Sequence, residues 1–257
     1  MKRIILLAIL IPLFALMAKA QPSKHAFDTV RFNDQLEFAN HLIEYEFYTK
    51  LAVDKFSKLP ETSGSEWFSY QENNTWHSVG RNRAGKTLPI TNHVVFDSLY
   101  AISDFTGITD TTKLNASGSA LSMANTRFQI IHDTSNIYFS SFVICNPDLT
   151  ISIWYLPAFQ PSGQAIYGCE WEYIFDNTGK NFLRQNSYAR NITGVWIGQP
   201  RELWLNYRST DEPTTGSVFF AQSFRDYFKR IRIDTRISTS TTSKDANGKY
   251  SWTHKMK

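Results

Sequence analysis

From Arg127 to Tyr207 the chain offers six short runs rich in β-branched and aromatic residues: Arg127 to His132, Ile137 to Cys145, Thr150 to Leu156, Ala165 to Phe175, Val195 to Ile197 and Glu202 to Tyr207. Turn formers separate them, among them Asp-Thr-Ser-Asn, Asn-Pro-Asp, Pro-Ser-Gly and Asp-Asn-Thr-Gly. Parallel strands need a crossover of about a dozen residues or more, and such close spacing leaves no room for crossover helices. The pattern therefore predicts a mostly antiparallel sheet.

Helical signals flank this region. Between Asn33 and Leu59 the residues Phe38, Leu42, Tyr45, Thr49, Ala52, Phe56 and Leu59 recur at alternating spacings of four and three, with Asn33 or Asp34 as cap and Pro60 as stop. A second helix is expected from about Ser217 to Lys229, introduced by Glu212-Pro213-Thr214-Thr215-Gly216. Ile231, Ile233 and Ile237 alternate with Arg232 and Arg236, as in a strand with one wet face. The fold class is thus α+β: a mostly antiparallel sheet with an N-terminal amphipathic helix and a C-terminal helix packed on it, covering one face.

Smaller elements are read the same way. Glu66 to Gln71 and Thr75 to Gly80 form a hairpin about Glu72-Asn73-Asn74, and His93 to Asp97 is strand-like. Ser98 to Phe105 reads as a short helix. Asp110 to Ser122, dominated by Thr, Asn, Ser, Gly and Ala, reads as an irregular loop.

The first twenty residues have the form of an export signal: Lys2 and Arg3, an apolar stretch from Ile4 to Met17, then Ala18-Lys19-Ala20 as the cleavage site. Fourteen apolar residues fall short of the roughly 20 a membrane span requires. The expected organisation is residues 1–20 as signal peptide and 21–237 as one α+β domain. Residues 238–257 form a polar mobile tail, in which Tyr250 and Trp252 can pair as an extra edge strand. The mature chain is expected in the periplasm or outside the cell, with no transmembrane segment.

Charge changes with cleavage. Three of the 27 basic residues leave with the leader and none of the 23 acids does, so the mature chain is nearly neutral. A nucleic-acid partner calls for a concentrated basic field and is excluded on this ground. What excess exists lies between Arg225 and Lys257, where nine basic residues face Asp226, Asp234 and Asp245. A solvated surface is the favoured reading, with contact to an acidic cell-surface polymer as the alternative. An aromatic content of 15%, with 19 Phe, 12 Tyr and 7 Trp, requires a packed core.

Cys145 and Cys169 are the two thiols of an exported chain. In a simple meander with Thr150 to Leu156 between them they stand ~9.5 Å apart, beyond the reach of a disulfide. Two buried free thiols are expected.

The most suggestive chemistry is in Gly168-Cys169-Glu170-Trp171-Glu172. On a strand, Glu170 and Glu172 share a face, as paired carboxylates of a glycan hydrolase would, though a half-exposed strand looks the same. For metal binding, His77, His93, Asp97, His132 and Asp133 lack ligand spacing, so no metal or other cofactor is expected. Ala116-Ser117-Gly118-Ser119-Ala120 lacks the glycines of a nucleophile elbow. Gly80 to Thr87 matches Gly-x-x-x-x-Gly-Lys-Thr, but Leu88-Pro89 comes next, where a phosphate-binding helix should begin. Arg81, Arg83 and Lys86 are left as contacts for an anionic surface, and Trp154 and Trp204 as aromatic ligand contacts. The favoured reading is a non-catalytic binding or interaction module whose partner is an envelope or extracellular polymer or protein. A hydrolase using Glu170 and Glu172 is the alternative.

Overall fold

The computed structural model describes residues 26–56, 65–82, 90–107, 110–132, 136–188, 192–198 and 201–257. The expected leader, Arg83, Lys86 and Asp133 lie outside the described residues. Among these there are three α-helices, α1 (Thr29–Phe56), α2 (Thr111–His132) and α3 (Thr215–Phe224), the last extended by a 3-10 turn (Arg225–Tyr227).

The first sheet has the order β1 (Ser65–Glu72), β2 (Thr75–Asn82), β3 (Ile90–Phe96), β4 (Ile102–Asp104). The second contains β5 (Phe139–Cys145), β6 (Ile151–Pro157), β8 (Trp171–Phe175) and β9 (Phe182–Ser187), while β7 (Gln164–Tyr167) pairs with β10 (Thr193–Trp196). The last sheet runs β11 (Glu202–Tyr207), β12 (Arg230–Thr235), β13 (Ser238–Lys244), β14 (Tyr250–Met256). The α+β class and the mostly antiparallel pairing hold. The exception is β11 with β12, which is parallel, because α3 supplies the crossover that the shorter connections cannot.

Each helix begins on a side-chain cap. Asp28 accepts from the Arg31 amide at 3.0 Å and Asp110 from that of Lys113 at 3.1 Å. Thr214 and Ser217 form a reciprocal capping box on α3. The cap of α1 is thus Asp28 rather than Asn33 or Asp34, which lie a turn inside. The apolar stripe survives the shift, with Leu42, Tyr45, Ala52 and Phe56 buried.

The central strands of the second sheet are covered on both faces. Phe142 and Trp154 meet α1 and α3 through Tyr45, Phe219 and Phe38, while Phe139, Tyr155 and Trp171 meet Phe128 of α2 on the opposite side. This is why all seven residues of β6 are buried. The expectation that helices cover one face therefore needs correction, and α2 is the reason. Asp110 to Ser122 and Arg127 to His132, read as a loop and a strand, are parts of this one helix. Leu114, Ser117, Leu121, Ala124 and Phe128 are buried at spacings of three and four. Glycine weakens helix propensity, but it allows close approach: Gly118 sits on the Arg81 guanidinium, and a Cβ there would come within 1.5 Å of it.

Between the first two sheets, the edge strands β1 and β5 lie side by side without forming a ladder, and α1 spans them. The Tyr45 hydroxyl accepts the Val143 amide at 3.1 Å and also lies against the Ser69 backbone. Beside it, the hydroxyls of Thr49, Ser69 and Ser78 form a chain with both links at 2.6 Å, so these three groups are satisfied.

The remaining expectations divide. Asn73 and Asn74 both take positive φ (49 and 60°), the geometry of a two-residue hairpin turn, as expected for β1 and β2. Ser98 to Phe105 is a turn and then β4 rather than a helix. Ser238 to Lys257, expected as a mobile tail, is the hairpin of β13 and β14, turned at Asp245 to Gly248. Its Ser and Thr residues alternate faces, and the inner ones, Ser238, Ser240 and Thr242, are buried.

Candidate functional site

The run from Ala165 to Phe175 is two strands, not one. Gly168 takes φ of 82°, and its amide donates to the Tyr207 hydroxyl at 3.2 Å, so the chain leaves β7 and re-enters the sheet only at Trp171. Glu170 therefore lies before β8, and the alternation that would align it with Glu172 does not apply. It is 1% exposed. Tyr207 donates to its carboxylate at 2.5 Å and Thr214 at 3.1 Å, and it presses on the first turn of α3, where a Cβ on Gly216 would meet its Cδ at 2.1 Å. Burial pushes its pKa up to about 7, against the lowering effect of those hydrogen bonds.

Glu172 has a different environment. On β8 it accepts from Ser152 on β6 at 2.8 Å and from Asn186 on β9 at 2.7 Å, one bond per oxygen. One carboxyl is sealed beneath α3, and the other is held by two neighbouring strands. Acid and base catalysis requires both to reach a substrate.

The residues expected to form an anionic-ligand surface separate. Arg81 is 3% exposed, held beside Glu66 beneath α2, and Glu66 in turn accepts from Asn125 at 2.9 Å. Trp154 is 7% exposed beneath Phe38 and Tyr188. Both are core groups, because the two-sided covering of the sheets leaves them no route to solvent. Trp204 alone of the described candidates stays outside, at 51% exposure.

Trp204 occupies the outward face of the last sheet. The register aligns Trp204, Arg232, Thr241 and Thr253 in one row and Glu202, Arg230, Ser243 and Ser251 in the next. The Arg232 guanidinium lies over the indole, 4.6 Å from its centre. Glu202 is forked between Arg230 (3.0 Å) and Arg232 (3.4 Å), and Asp234 between Arg208 and Lys257, both 2.6 Å away. Opposite this face, Leu205, Ile231 and Ile233 are buried, and Trp252 packs on Phe32 of α1. The alternation of Leu203, Leu205 and Tyr207 with Glu202, Trp204 and Asn206 was the signal for this face. The extra edge strand expected at Tyr250 and Trp252 is β14, and the pairing of Ser238–Lys244 as β13, which the sequence did not disclose, widens the face to four strands.

Two other clusters carry titratable groups. In the first sheet the Tyr70 hydroxyl and His77 Nδ1 both meet His93 Nε2, at 3.0 and 3.1 Å. Burial and the neighbouring His77 lower the His93 pKa to about 4. At the seam of β1 and β5 a cleft of about 260 Å³ is lined by His41, Gln71, Lys113, Ser117 and Cys145. Both cysteines are free, as expected, but Cys145 is exposed and only Cys169 is buried. Burial, then the nearby Glu170, pushes the Cys169 thiol up to about 12. No group of three or more His, Cys, Asp or Glu among the described residues could hold a metal ion, and no described helix is long and apolar enough to cross a membrane.

The fold and these groups define an α+β protein with one broad, polar, Trp-bearing sheet face. Comparison with known protein families, curated proteins and solved structures finds no match to this chain.

Proposed function

We propose that this chain is an exported, non-catalytic binding module, one folded unit after cleavage, that contacts a polymer of the envelope or extracellular space through the outward face of β11–β14. The observation that carries this reading is Trp204, exposed on the edge strand of a face whose other outward residues are short and hydrogen-bonding or charged. An exposed indole offers a sugar ring an apolar platform, and the Ser, Thr and Asn side chains of the same face offer its hydroxyls partners. The leader supports delivery to that compartment.

The hydrolase alternative draws on the raised pKa of Glu170. Its burial, and the two bonds that occupy Glu172, weigh against it.

The test is a binding screen of the secreted protein and its Trp204→Ala variant against envelope glycans. The expected result is an N-terminus at Gln21 by mass spectrometry and retention on at least one glycan, with about tenfold weaker retention of the variant. Equal retention of the two proteins would remove the face from consideration. Turnover of any glycan, lost in Glu172→Gln, would establish the hydrolase instead.

A further inference from the structure

We infer that the outward face of β11–β14 takes an acidic polysaccharide, its sugar rings against Trp204 and its anionic groups against Arg230 and Arg232. The inference rests on the binding-module reading and adds the charge class of the polymer. It comes from how charge is distributed across the sheet. Among the outward positions of the four strands the charged residues are Glu202, Arg230, Arg232, Asp234 and Lys255, and Arg208 and Lys257 reach Asp234 from the strand ends. That is five cations against two carboxylates, and each carboxylate already has two cationic partners.

The excess is therefore positive after every acid on the face is paired. It is concentrated there although the mature chain as a whole is nearly neutral, so the segment rich in basic residues serves as a folded surface rather than as a solvated tail. Arg230 and Arg232 stand two residues apart on β12, on the same side, ~6.6 Å along the strand. Glu202 between them holds both guanidiniums in place, so the pair offers an anionic chain two fixed cations. The Nε of Arg232 is buried and has no hydrogen-bond partner in the described structure. The guanidinium carbon lies 4.6 Å from the centre of the Trp204 ring and Nη2 stands 3.4 Å from Glu202, so a ring-borne carboxylate or sulfate over the indole would meet the same guanidinium. A neutral chain would leave this charge unused, and a chain with cationic groups would be repelled.

The experiment measures binding of the secreted protein by calorimetry to three probes: an oligogalacturonate, the same oligomer with its carboxyls reduced to alcohols, and a heparin oligosaccharide. Variants Trp204→Ala and Arg230→Gln/Arg232→Gln are measured alongside, with circular dichroism to confirm that each is folded. The expected result is binding to at least one acidic probe, at least tenfold weaker for the reduced oligomer, weaker as salt rises, and lost in both variants. Equal affinity for the reduced and acidic oligomers, lost in Trp204→Ala but kept in the double Arg variant, overturns the charge class and leaves the binding-module reading standing. No binding to these probes, with binding to a neutral glycan in the wider screen, does the same. Failure to bind any glycan overturns both.

Discussion

The phenol of Tyr207 on β11 donates a 2.5 Å hydrogen bond to the carboxylate of Glu170, tying the connector before β8 to the strand that carries Trp204. Thr214 completes the arrangement, serving as cap of α3 and donor to the same carboxylate. The connector before β8 thus meets β11 and the start of α3, about 40 residues further along the chain, on one buried acid beneath the sheet whose other face is exposed.

That acid makes stability depend on pH. Its pKa rises from an ordinary 4.5 to about 7 in the fold, so the neutral form is favoured there. Its contribution is complete below about pH 4.5 and is lost as pH climbs through 7. A shift of this size corresponds to roughly 3 kcal/mol. Urea unfolding of wild type and Glu170→Gln from pH 4.5 to 8 should show the difference between them moving in favour of the variant by an amount of that order. A constant difference would mean that the carboxyl stays charged throughout.

The imidazoles of the first sheet act in the opposite sense. The pKa of His93 falls from 6.5 to about 4, so its contribution is present above 6.5 and lost as pH drops toward 4. His93→Gln should therefore lose less stability than wild type between pH 6.5 and 4, read from thermal midpoints at each pH.

Tyr45 takes the place of a ladder between β1 and β5. Tyr45→Phe leaves the buried Val143 amide without its acceptor, at an expected cost of about 1–3 kcal/mol. Hydrogen exchange should show faster opening at Val143 than in wild type, while amides in β12 and β13 keep their protection.

Gly118 allows α2 to rest on Arg81. A methyl group there meets the guanidinium at 1.5 Å and the arginine Cδ at 2.5 Å, so the arginine, 3% exposed, must shift within a packed site. Gly118→Ala should destabilise by about 2–3 kcal/mol despite alanine's better helix propensity. A neutral or stabilising result in chemical denaturation would mean that the two do not touch.

The thiols should separate by reactivity. Cys145 is exposed, whereas Cys169 is buried with its pKa raised to about 12. A maleimide should label Cys145 in the native protein within minutes and Cys169 only after unfolding, read by peptide mass spectrometry.

Much of the secondary structure was legible because local chemistry decides it. The stripe from Phe38 to Phe56, the two asparagines between β1 and β2, and the alternation through Leu203, Leu205 and Tyr207 each express a period or a turn that neighbours alone can impose. The failures share a cause. Asp110 to Ser122 looks loop-like because Thr, Asn, Ser and Gly favour turns and caps, and it becomes helix because its small side chains let it approach Arg81 and the second sheet. Ser238 to Lys257 looks like a tail because a Ser/Thr run has no apolar face of its own, and it becomes strand because β12 offers it an edge.

The site divides along the same line. By itself the sequence determined the residue types and the alternation that turns Trp204 and Arg232 outward. Only the tertiary structure decided that Glu170 is sealed under α3, that Arg81 and Trp154 are core, and that scattered basic residues collect beside one exposed indole. The reason is physical: periodicity sets which way a side chain points from its own strand or helix, but exposure and charge environment depend on what long-range packing places against it.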